Sequence, residues 1–323
     1  MDFVKRRILT YVFVVIGVAN LDFILPRIAP GNASELLTTG NNAAQQIALL
    51  KARFGLDQSI YTQYYLFLKN TFATWPPNFG ISYEYYPESV TNLFASRIGW
   101  TLLLILMSLL LSILISYIMA AFSSMKRGGK LEVAFLNMSI AFQFVPVYWT
   151  AMILLWVFAV ILNWFPIFGN VDAGITPSSG VNYVGSIIWH AVLPVAAMTA
   201  SIFGENYLVL RSSAQEILKS DYVLAAKLRG LRGRVLATSY VVRNSLLPLV
   251  AVLSFSLAGL VSRAVLVEAV FGYNGIGDLI VDAVTHRDYP VLEGTLFLLT
   301  VIVVLGGIIG DQVLIRLDPK LRK

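Results

Sequence analysis

The sequence has no cysteine and only two histidines, His190 and His286. The absence of cysteine excludes disulfides, thiolate metal sites and cysteine nucleophiles. Charge is also scarce, because 13% of the 323 residues are charged whereas 57% are hydrophobic. A water-soluble fold of this composition could not cover its surface with polar groups. The sequence therefore predicts a chain whose main solvent is lipid.

Six apolar stretches approach or exceed the length of about 20 residues that a helix needs to cross a hydrocarbon layer. They lie at 8–25, 98–125, 133–171, 173–204, 244–262 and 294–310. The basic residues before the first stretch resemble the start of a signal peptide, but the long apolar run and the Pro26-Arg27 that follows it favour an uncleaved span. We predict an all-α membrane protein with six transmembrane helices.

Proline is predicted to shape two of these spans. Pro146, Pro166 and Pro194 fall in the third and fourth apolar stretches. Each removes a backbone hydrogen bond, so each is a candidate position for a bend in the helix.

The distribution of basic residues predicts the orientation of the chain. Of the 24 lysines and arginines, 17 fall on one side of the six spans, six fall on the other, and Arg263 falls within a span. Because basic residues concentrate in cytoplasmic segments, both termini are predicted to be cytoplasmic. The resulting parts are an N-terminal segment with the first span (1–28), an extracytoplasmic insertion (29–97), a five-span core (98–315) that includes a cytoplasmic loop at 211–243, and a cytoplasmic tail (316–323).

The insertion between the first two spans contains one predicted helix. Asp57 ends a short loop, and the spacing of Ile60, Tyr64, Tyr65 and Phe67 after it indicates an amphipathic helix. The insertion is also rich in tyrosine and tryptophan. Aromatic side chains with a polar tip suit a protein-docking surface and suit equally a helix at the level of lipid headgroups, so both interpretations stay open.

The cytoplasmic loop is also predicted to hold a helix, which Ser220 or Asp221 caps and Gly230 or Gly233 ends. One face of this helix has small side chains at its centre, which would allow the backbone of another protein to approach closely. That face comprises Tyr222, Ala225, Ala226 and Arg229. The alternative is an amphipathic helix that lies on anionic lipid through its lysines and arginines.

Several motifs stand in a specific order along the chain. The loop contains Asp221-Tyr222-Val223, Ala225-Ala226 and Gly230-Leu231, followed by Arg243-Asn244-Ser245-Leu246-Leu247-Pro248. The other motifs are Phe54-Gly55-Leu56-Asp57-Gln58, His190 with Pro194, Glu268 with Val270-Phe271, Gly275 with Gly277, Arg287-Asp288-Tyr289-Pro290, and Asp318-Pro319 with Arg322. In this order they resemble the permease subunits of binding-protein-dependent ABC importers, specifically the dipeptide and oligopeptide branch.

The resemblance implies that residues 220–233 form a coupling helix that sits in a groove of a cytoplasmic ATPase. The residues that it assigns to this role are Asp221, Tyr222, Val223, Ala225, Ala226, Leu228, Arg229, Gly230, Leu231, Leu247 and Pro248. Two departures from the family pattern bear on the contacts: Leu224 stands where the wider permease motif has glutamate, and the segment between Gly230 and Pro248 is longer.

The resemblance also implies the partners and the cargo. A second homologous permease subunit completes the pore, two ATPase subunits carry ATP and Mg, and an extracytoplasmic binding protein delivers the cargo. This chain, surrounded by membrane lipid in the plasma membrane, binds no cofactor and no nucleic acid. The implied cargo is dipeptides or oligopeptides, with oligosaccharides or nickel complexes as the alternative.

Two motifs that suggest enzyme chemistry are incomplete. Gly128-Gly129-Lys130 lacks the earlier glycine and the following serine or threonine of a phosphate-binding loop. Gly272, Gly275 and Gly277 have no strand before them, so a turn is the better interpretation. Intramembrane catalysis would need a serine with a histidine, or two aspartates, and no Gly-x-Ser-x-Gly sequence is present. We predict that the chain is not an enzyme.

Three charged residues fall in or near the fourth and fifth spans, namely Glu205, Arg263 and Glu268. An ionisable group in a bilayer is expected to have a partner or a water-filled path. The first interpretation is an interhelical ion pair, Glu205 with Arg263, that holds the helices together. The second places these charges on a translocation path, as in an ion-coupled secondary transporter, although no inverted repeat is evident.

Overall fold

The computed structural model describes residues 2–28, 57–74, 76–125, 128–231 and 233–317. Two groups of residues from the sequence motifs lie outside this part of the chain, namely Phe54-Gly55-Leu56 and the C-terminal Asp318-Pro319 with Arg322. The described residues contain no β-strand, and their one isolated bridge joins Ile81 to Ser89.

The described residues form ten α-helices longer than a single turn. They are α1 (Asp2–Ile28), α2 (Ile60–Phe72), α3 (Val90–Met125), α4 (Lys130–Phe144), α5 (Val147–Leu154), α6 (Val181–Ile217), α7 (Asp221–Leu228), α8 (Arg243–Phe271), α9 (Ile276–Thr285) and α10 (Tyr289–Leu317). A π-helical segment, Leu155–Ile161, continues α5, and a second one, Leu236–Val242, leads directly into α8 from a single helical turn at Gly233–Val235.

Three described helices are long and apolar enough to cross a membrane, namely α3, α6 and the Tyr289–Arg316 part of α10. The number rises to five if α4 with α5 and the end of α8 with α9 each form one broken span, and Leu9–Leu25 of α1 is a shorter apolar helix. The prediction of an all-α membrane protein is therefore confirmed. The count of six spans stays a prediction.

Helix boundaries differ from the apolar stretches because a helix does not end where lipid ends. The fourth stretch was expected to end at Gly204 and to enter a loop at Arg211, but α6 continues to Ile217. Helix α3 likewise begins at Val90, before the expected Ile98. The loop predicted at 211–243 is thus helical at its start.

The three prolines predicted to bend a helix occupy different positions relative to the helices. Pro146 stands between α4 and α5, whose axes differ by 99°, so the predicted bend is confirmed there. Pro166 follows the π-helical segment and lies outside any helix, so its predicted bend is wrong. Pro194 lies inside α6, which continues through it without a break.

The chain divides into two compact units, one formed by 1–99 with 275–304 and the other by 100–274 with 305–323. In the first unit, Phe23 of α1, Phe67 of α2 and Phe297 of α10 share one hydrophobic core. The segment between α2 and α3 is fixed by Asp288, which is almost fully buried. Its carboxylate accepts hydrogen bonds from the Ser82 hydroxyl and from the backbone N–H groups of Tyr83 and Glu84.

A polar network in the same unit joins this segment to α9. Arg97 donates to Asp278 over 3.2 Å and to the Tyr85 hydroxyl over 3.1 Å, and Tyr85 in turn donates to Asp282. Burial raises the pKa of the Tyr85 hydroxyl and its hydrogen bond to Asp282 raises it as well, so the hydroxyl stays protonated and acts as a donor.

The second unit is built on α6. Its buried side chains pack in one cluster with α3, α5 and α8, and Met198, Leu104, Leu260 and Ala264 belong to it. A neighbouring cluster holds Tyr207 and Leu210, closer to the end of α6. Helix α6 therefore supports the segment that follows it, which contains most of the residues assigned to the candidate site.

Candidate functional site

Helix α7 is a short helix between α6 and α8, and the predicted side-chain cap at its start is wrong, because no side chain caps it. Ser220 has an extended backbone at its start, and the Ser220 hydroxyl donates back to the Ile217 carbonyl over 2.6 Å rather than capping α7. At the other end, the Leu231 N–H donates to the Ala226 carbonyl and the Gly230 N–H to the Lys227 carbonyl. This pattern is a Schellman motif. It requires the positive φ of 85° that Gly230 adopts, so the prediction that Gly230 ends the helix is confirmed.

The inner face of α7 rests on the rest of its unit. Val223 and Ala226 are buried, and Val223 clusters with Ala214 at the end of α6 and Val241 of the π-helical segment. The face predicted to meet a partner included Ala226, and the structure corrects this because Ala226 points inward. The remaining members of that face, Tyr222, Ala225 and Arg229, are exposed.

The outer face of α7 is more apolar than expected. Tyr222 in the first turn is 46% exposed, and Leu224 and Leu228, one turn apart on another part of the helix surface, are 56% and 81% exposed. Lys227 and Arg229 flank them and are also exposed. Leu224 entered the sequence analysis only as a departure from the family's glutamate, yet it is at the centre of the exposed face. The i, i+4 spacing of Leu224 and Leu228 was the signal that could have identified it.

The chain after α7 connects this face to a long helix. From Gly233 the helical turn, the π-helical segment and α8 follow without interruption to Phe271. Asn244, in the first turn of α8, lies near the Tyr222 hydroxyl, with its amide nitrogen at 3.4 Å. Pro248 is exposed inside α8, and the side chain of Leu247 is outside the described part of the structure.

An ion pair that the sequence analysis did not identify holds the end of α6. The guanidinium of Arg211 approaches one carboxylate oxygen of Glu132 through Nη2 at 2.8 Å and Nε at 2.9 Å. The other carboxylate oxygen accepts the Gly128 N–H over 2.7 Å. Glu132 is 6% exposed. The pair therefore fixes α6, six positions before its end, to the first turn of α4 and the turn that precedes it.

Comparison with known proteins identifies the family of the chain. Residues 112–323 match the family described as the binding-protein-dependent transport system inner membrane component, and residues 1–105 match the N-terminal region of such membrane components. The chain belongs to this permease family. It is therefore a multi-pass membrane protein that serves as a transport subunit.

Individual permeases resemble the chain over nearly its whole length. A putative peptide permease protein of Brucella suis is 29% identical over 319 residues, 98% of each chain. A di/tripeptide transport system permease protein of Pseudomonas aeruginosa is 27% identical and covers 100% of this chain and 99% of its own. An oligopeptide transport system permease protein of Bacillus subtilis is also 27% identical, over 99% of this chain and 98% of its own.

Two of the three span charges of the permease lie together. Arg263 Nη2 lies 3.9 Å from Glu205 Oε2, so the predicted pair between α6 and α8 is confirmed. Glu268 lies five positions beyond Arg263 on α8 with its side chain fully buried, and its main-chain carbonyl accepts the Tyr273 N–H over 2.9 Å. The structure thus joins Glu205 to Arg263 and places Glu268 at the end of the helix.

The side chain of His190 joins α6 to the loop that precedes it. Its Nδ1 lies 2.9 Å from the Ser186 carbonyl oxygen, one turn earlier in α6, and its Nε2 lies 3.8 Å from Asp172. The Ser186 hydroxyl donates to the same carboxylate over 2.7 Å. These contacts anchor the loop before α6 to the helix, as expected of a structural hydrogen bond. The glycines at 272–275 likewise form the turn that was predicted, between α8 and α9.

Proposed function

We propose that this permease forms half of the translocation pathway of an ATP-driven importer, and that α7 is its contact with a cytoplasmic ATPase. The exposed apolar face of α7 carries the proposal. Leu224 and Leu228, both exposed and one turn apart on a helix held by buried neighbours, have the i, i+4 spacing of the anchors that a helix inserts into a groove of a partner. Their basic neighbours would lie at the rim of the contact.

The proposed topology has six spans with both termini in the cytoplasm. The positive-inside distribution, 17 basic residues against six, supports it. In this topology α7 faces the cytoplasm, where an ATPase could reach it, and residues 29–97 face the opposite side of the plasma membrane. A single orientation therefore suits both the coupling helix and an extracytoplasmic delivery protein.

The proposed assembly contains a second homologous permease subunit, two ATPase subunits and an extracytoplasmic binding protein. ATP and Mg would bind on the ATPase subunits, so hydrolysis takes place outside this chain. The family description itself names a binding-protein-dependent system. We assign no catalytic residue to the permease.

The proposed cargo is short peptides. The similar proteins of Pseudomonas aeruginosa and Bacillus subtilis are named for di/tripeptide and oligopeptide transport. A binding protein would select the cargo before it reaches the pore. Oligosaccharides and nickel complexes are the alternatives that an uptake assay would distinguish.

Alternating access is the proposed mechanism, and the backbone offers a route for it. Movement of the ATPase would displace α7, which is packed against Val241 through Val223. Since the π-helical segment that contains Val241 continues into α8, displacement of α7 would be passed to that helix. π-Helical turns are rare and are found frequently at functional sites, so we propose this segment as the place where the helix changes conformation.

Co-purification tests the docking proposal. The chain is purified in mild detergent with its partner subunits, as the wild type and as Leu228→Glu, and the ATPase activity of each preparation is measured. Val235→Glu is the matched control, since Val235 is also exposed and lies outside α7. We expect the ATPase to accompany the wild type and the control and to be lost from Leu228→Glu, while the permease still elutes as a single species.

The opposite result would contradict the proposal. If the ATPase accompanies Leu228→Glu as fully as the wild type, α7 is not the docking helix. If no ATPase accompanies the wild type under any gentle condition, the chain works without one and a secondary transporter becomes the better account.

A further inference from the structure

Helix α2 in the first unit has one face buried against α1 and α10. The Phe23 ring of α1 packs against Tyr64 at 5.1 Å and against Phe67 at 5.5 Å between centroids. Tyr64 donates to the Asn20 side chain, and Arg27 donates to Gln63 over 3.3 Å. These contacts fix α2 along the last part of α1.

The opposite face of α2 is apolar and aromatic, and most of its surface is exposed among the described residues. Tyr61 is 84% exposed and Tyr65 64% exposed, and Phe72 is half exposed. Together with Lys69 they follow the i, i+4, i+8, i+11 spacing of one helix face. A face of this kind is not left in water without a reason.

The positions of the contacts give the depth of α2 relative to the membrane. Asn20 lies five residues before Leu25, the end of the apolar part of α1, which is about 8 Å along a helix axis. Phe72 packs edge to face against Phe297, which lies three residues beyond Gly294, the start of the sixth apolar stretch, or about 5 Å along the helix axis. A helix at the boundary between headgroups and acyl chains is buried by about 5–10 Å. Helix α2 therefore lies within this boundary.

The side chains near this level have the character of a lipid-facing surface. Leu21, Leu25 and Ile28 at the end of α1 are all more than half exposed. Lys69 is the single charged residue of α2, and no acidic residue lies within that helix. Tyrosines with a polar tip and a lysine with a long apolar stem are suited to the headgroup region, and the positive charge matches anionic lipid.

We propose that the outer face of α2, formed by Tyr61, Tyr65, Lys69 and Phe72, is a membrane-interface anchor that binds lipid rather than a docking surface for the binding protein. The anchor would hold the start of the insertion against α1 and α10 at the membrane surface. It also decides between the two interpretations that the sequence left open for the tyrosine-rich insertion. The proposal does not depend on how the ATPase docks.

Spin labelling tests the anchor, and the absence of cysteine from the chain makes it direct. Single cysteines replace Tyr65, with Tyr61 as a second test position, in the full chain purified with its partner subunits. The labelled complexes are placed in vesicles of phosphatidylcholine and phosphatidylglycerol. Collisions of each label with oxygen, which concentrates in lipid, and with a water-soluble nickel complex are then measured. The complex with the unsubstituted chain gives the background.

Leu25→Cys on α1 serves as the lipid reference, and Glu88→Cys, whose side chain is exposed in the segment before α3, as the water reference. We expect the oxygen-to-nickel collision ratio at Tyr65→Cys and Tyr61→Cys to approach that of Leu25→Cys and to exceed that of Glu88→Cys several-fold. A ratio equal to that of Glu88→Cys would show a water-facing surface. Low collision rates with both reagents would show that a protein covers the face. Either result would overturn the proposal.

Discussion

Arg211 and Glu132 lie 79 positions apart in the sequence, and Arg211 Nε donates a hydrogen bond of 2.9 Å to the Glu132 carboxylate. Because Nη2 reaches the same oxygen at 2.8 Å, the contact fixes both the distance and the orientation of the guanidinium. Arg211 precedes α7 by ten residues and stands on the part of α6 that leads to it. The position of α7 thus depends on an attachment to α4.

Removal of one partner from this pair is expected to be costly. Glu132→Ala leaves Arg211 without its carboxylate in a partly buried site, and we expect destabilisation of about 1–3 kcal/mol. Thermal unfolding in detergent of both single variants and of the double variant Glu132→Ala/Arg211→Ala measures the coupling. The double variant is expected to lose less stability than the two singles combined. Strict additivity would contradict the pairing.

Because one face of α7 is buried and the other is exposed, two substitutions that introduce the same charge are expected to differ in their effect on stability. Ala226→Glu places a carboxylate on the buried face beside Val223, so we expect it to lower the melting temperature of the permease. Leu228→Glu alters a residue that is 81% exposed. It is expected to change the free energy of unfolding by no more than about 0.5 kcal/mol. Equal destabilisation by both variants would show that α7 is oriented differently.

A glycine on α6 is required by close packing. A Cβ atom at Gly204 would approach the main chain of Ser139 in α4, with the Ser139 carbonyl carbon at 3.2 Å. Gly204→Ala is therefore expected to destabilise the permease by about 1–3 kcal/mol. Gly185→Ala is the control on the same helix, since no atom lies within 4 Å of its added Cβ. A melting temperature unchanged by Gly204→Ala would contradict the close approach of α4 and α6.

The pair between Glu205 and Arg263 is expected to be structural. Its side chains are 37% and 30% exposed and 3.9 Å apart, and interhelical polar contacts in membrane proteins contribute only about 0.6–1.7 kcal/mol to stability. The double variant Glu205→Gln/Arg263→Gln should therefore retain ATP-driven peptide uptake by vesicles. Loss of uptake in this variant, together with sensitivity of the wild type to a protonophore, would instead place the two charges on an ion-coupled path.

The sequence predicted the parts of the fold that depend on local chemistry. Apolar length predicted α3, α6 and α10, a proline predicted the bend at Pro146, and a glycine predicted the end of α7 at Gly230. The pairing of Glu205 with Arg263 also followed from the sequence, because two opposite charges in apolar spans need partners.

Features that depend on the packing partner could not be predicted in this way. The choice between Ala226 and Leu224 as the outward residue follows from Val223 facing Val241, a contact that helical periodicity alone does not specify. The sequence analysis did not identify Glu132 because it stands immediately before the third apolar stretch, where a solvated charge is the ordinary expectation. The continuation of α6 to Ile217 was missed because a helix can extend beyond the lipid that its apolar residues require.

Cross-linking from α7 tests the central claim most directly. A photoreactive benzophenone is attached to Leu228→Cys in an otherwise cysteine-free permease, within the assembled transporter, and to Glu88→Cys as the control for the opposite side of the membrane. The account predicts a light-dependent product of this chain with the ATPase subunit from Leu228→Cys and none from Glu88→Cys. An assembled, ATP-hydrolysing complex with no ATPase product from Leu228→Cys would contradict the assignment of α7 as the coupling helix.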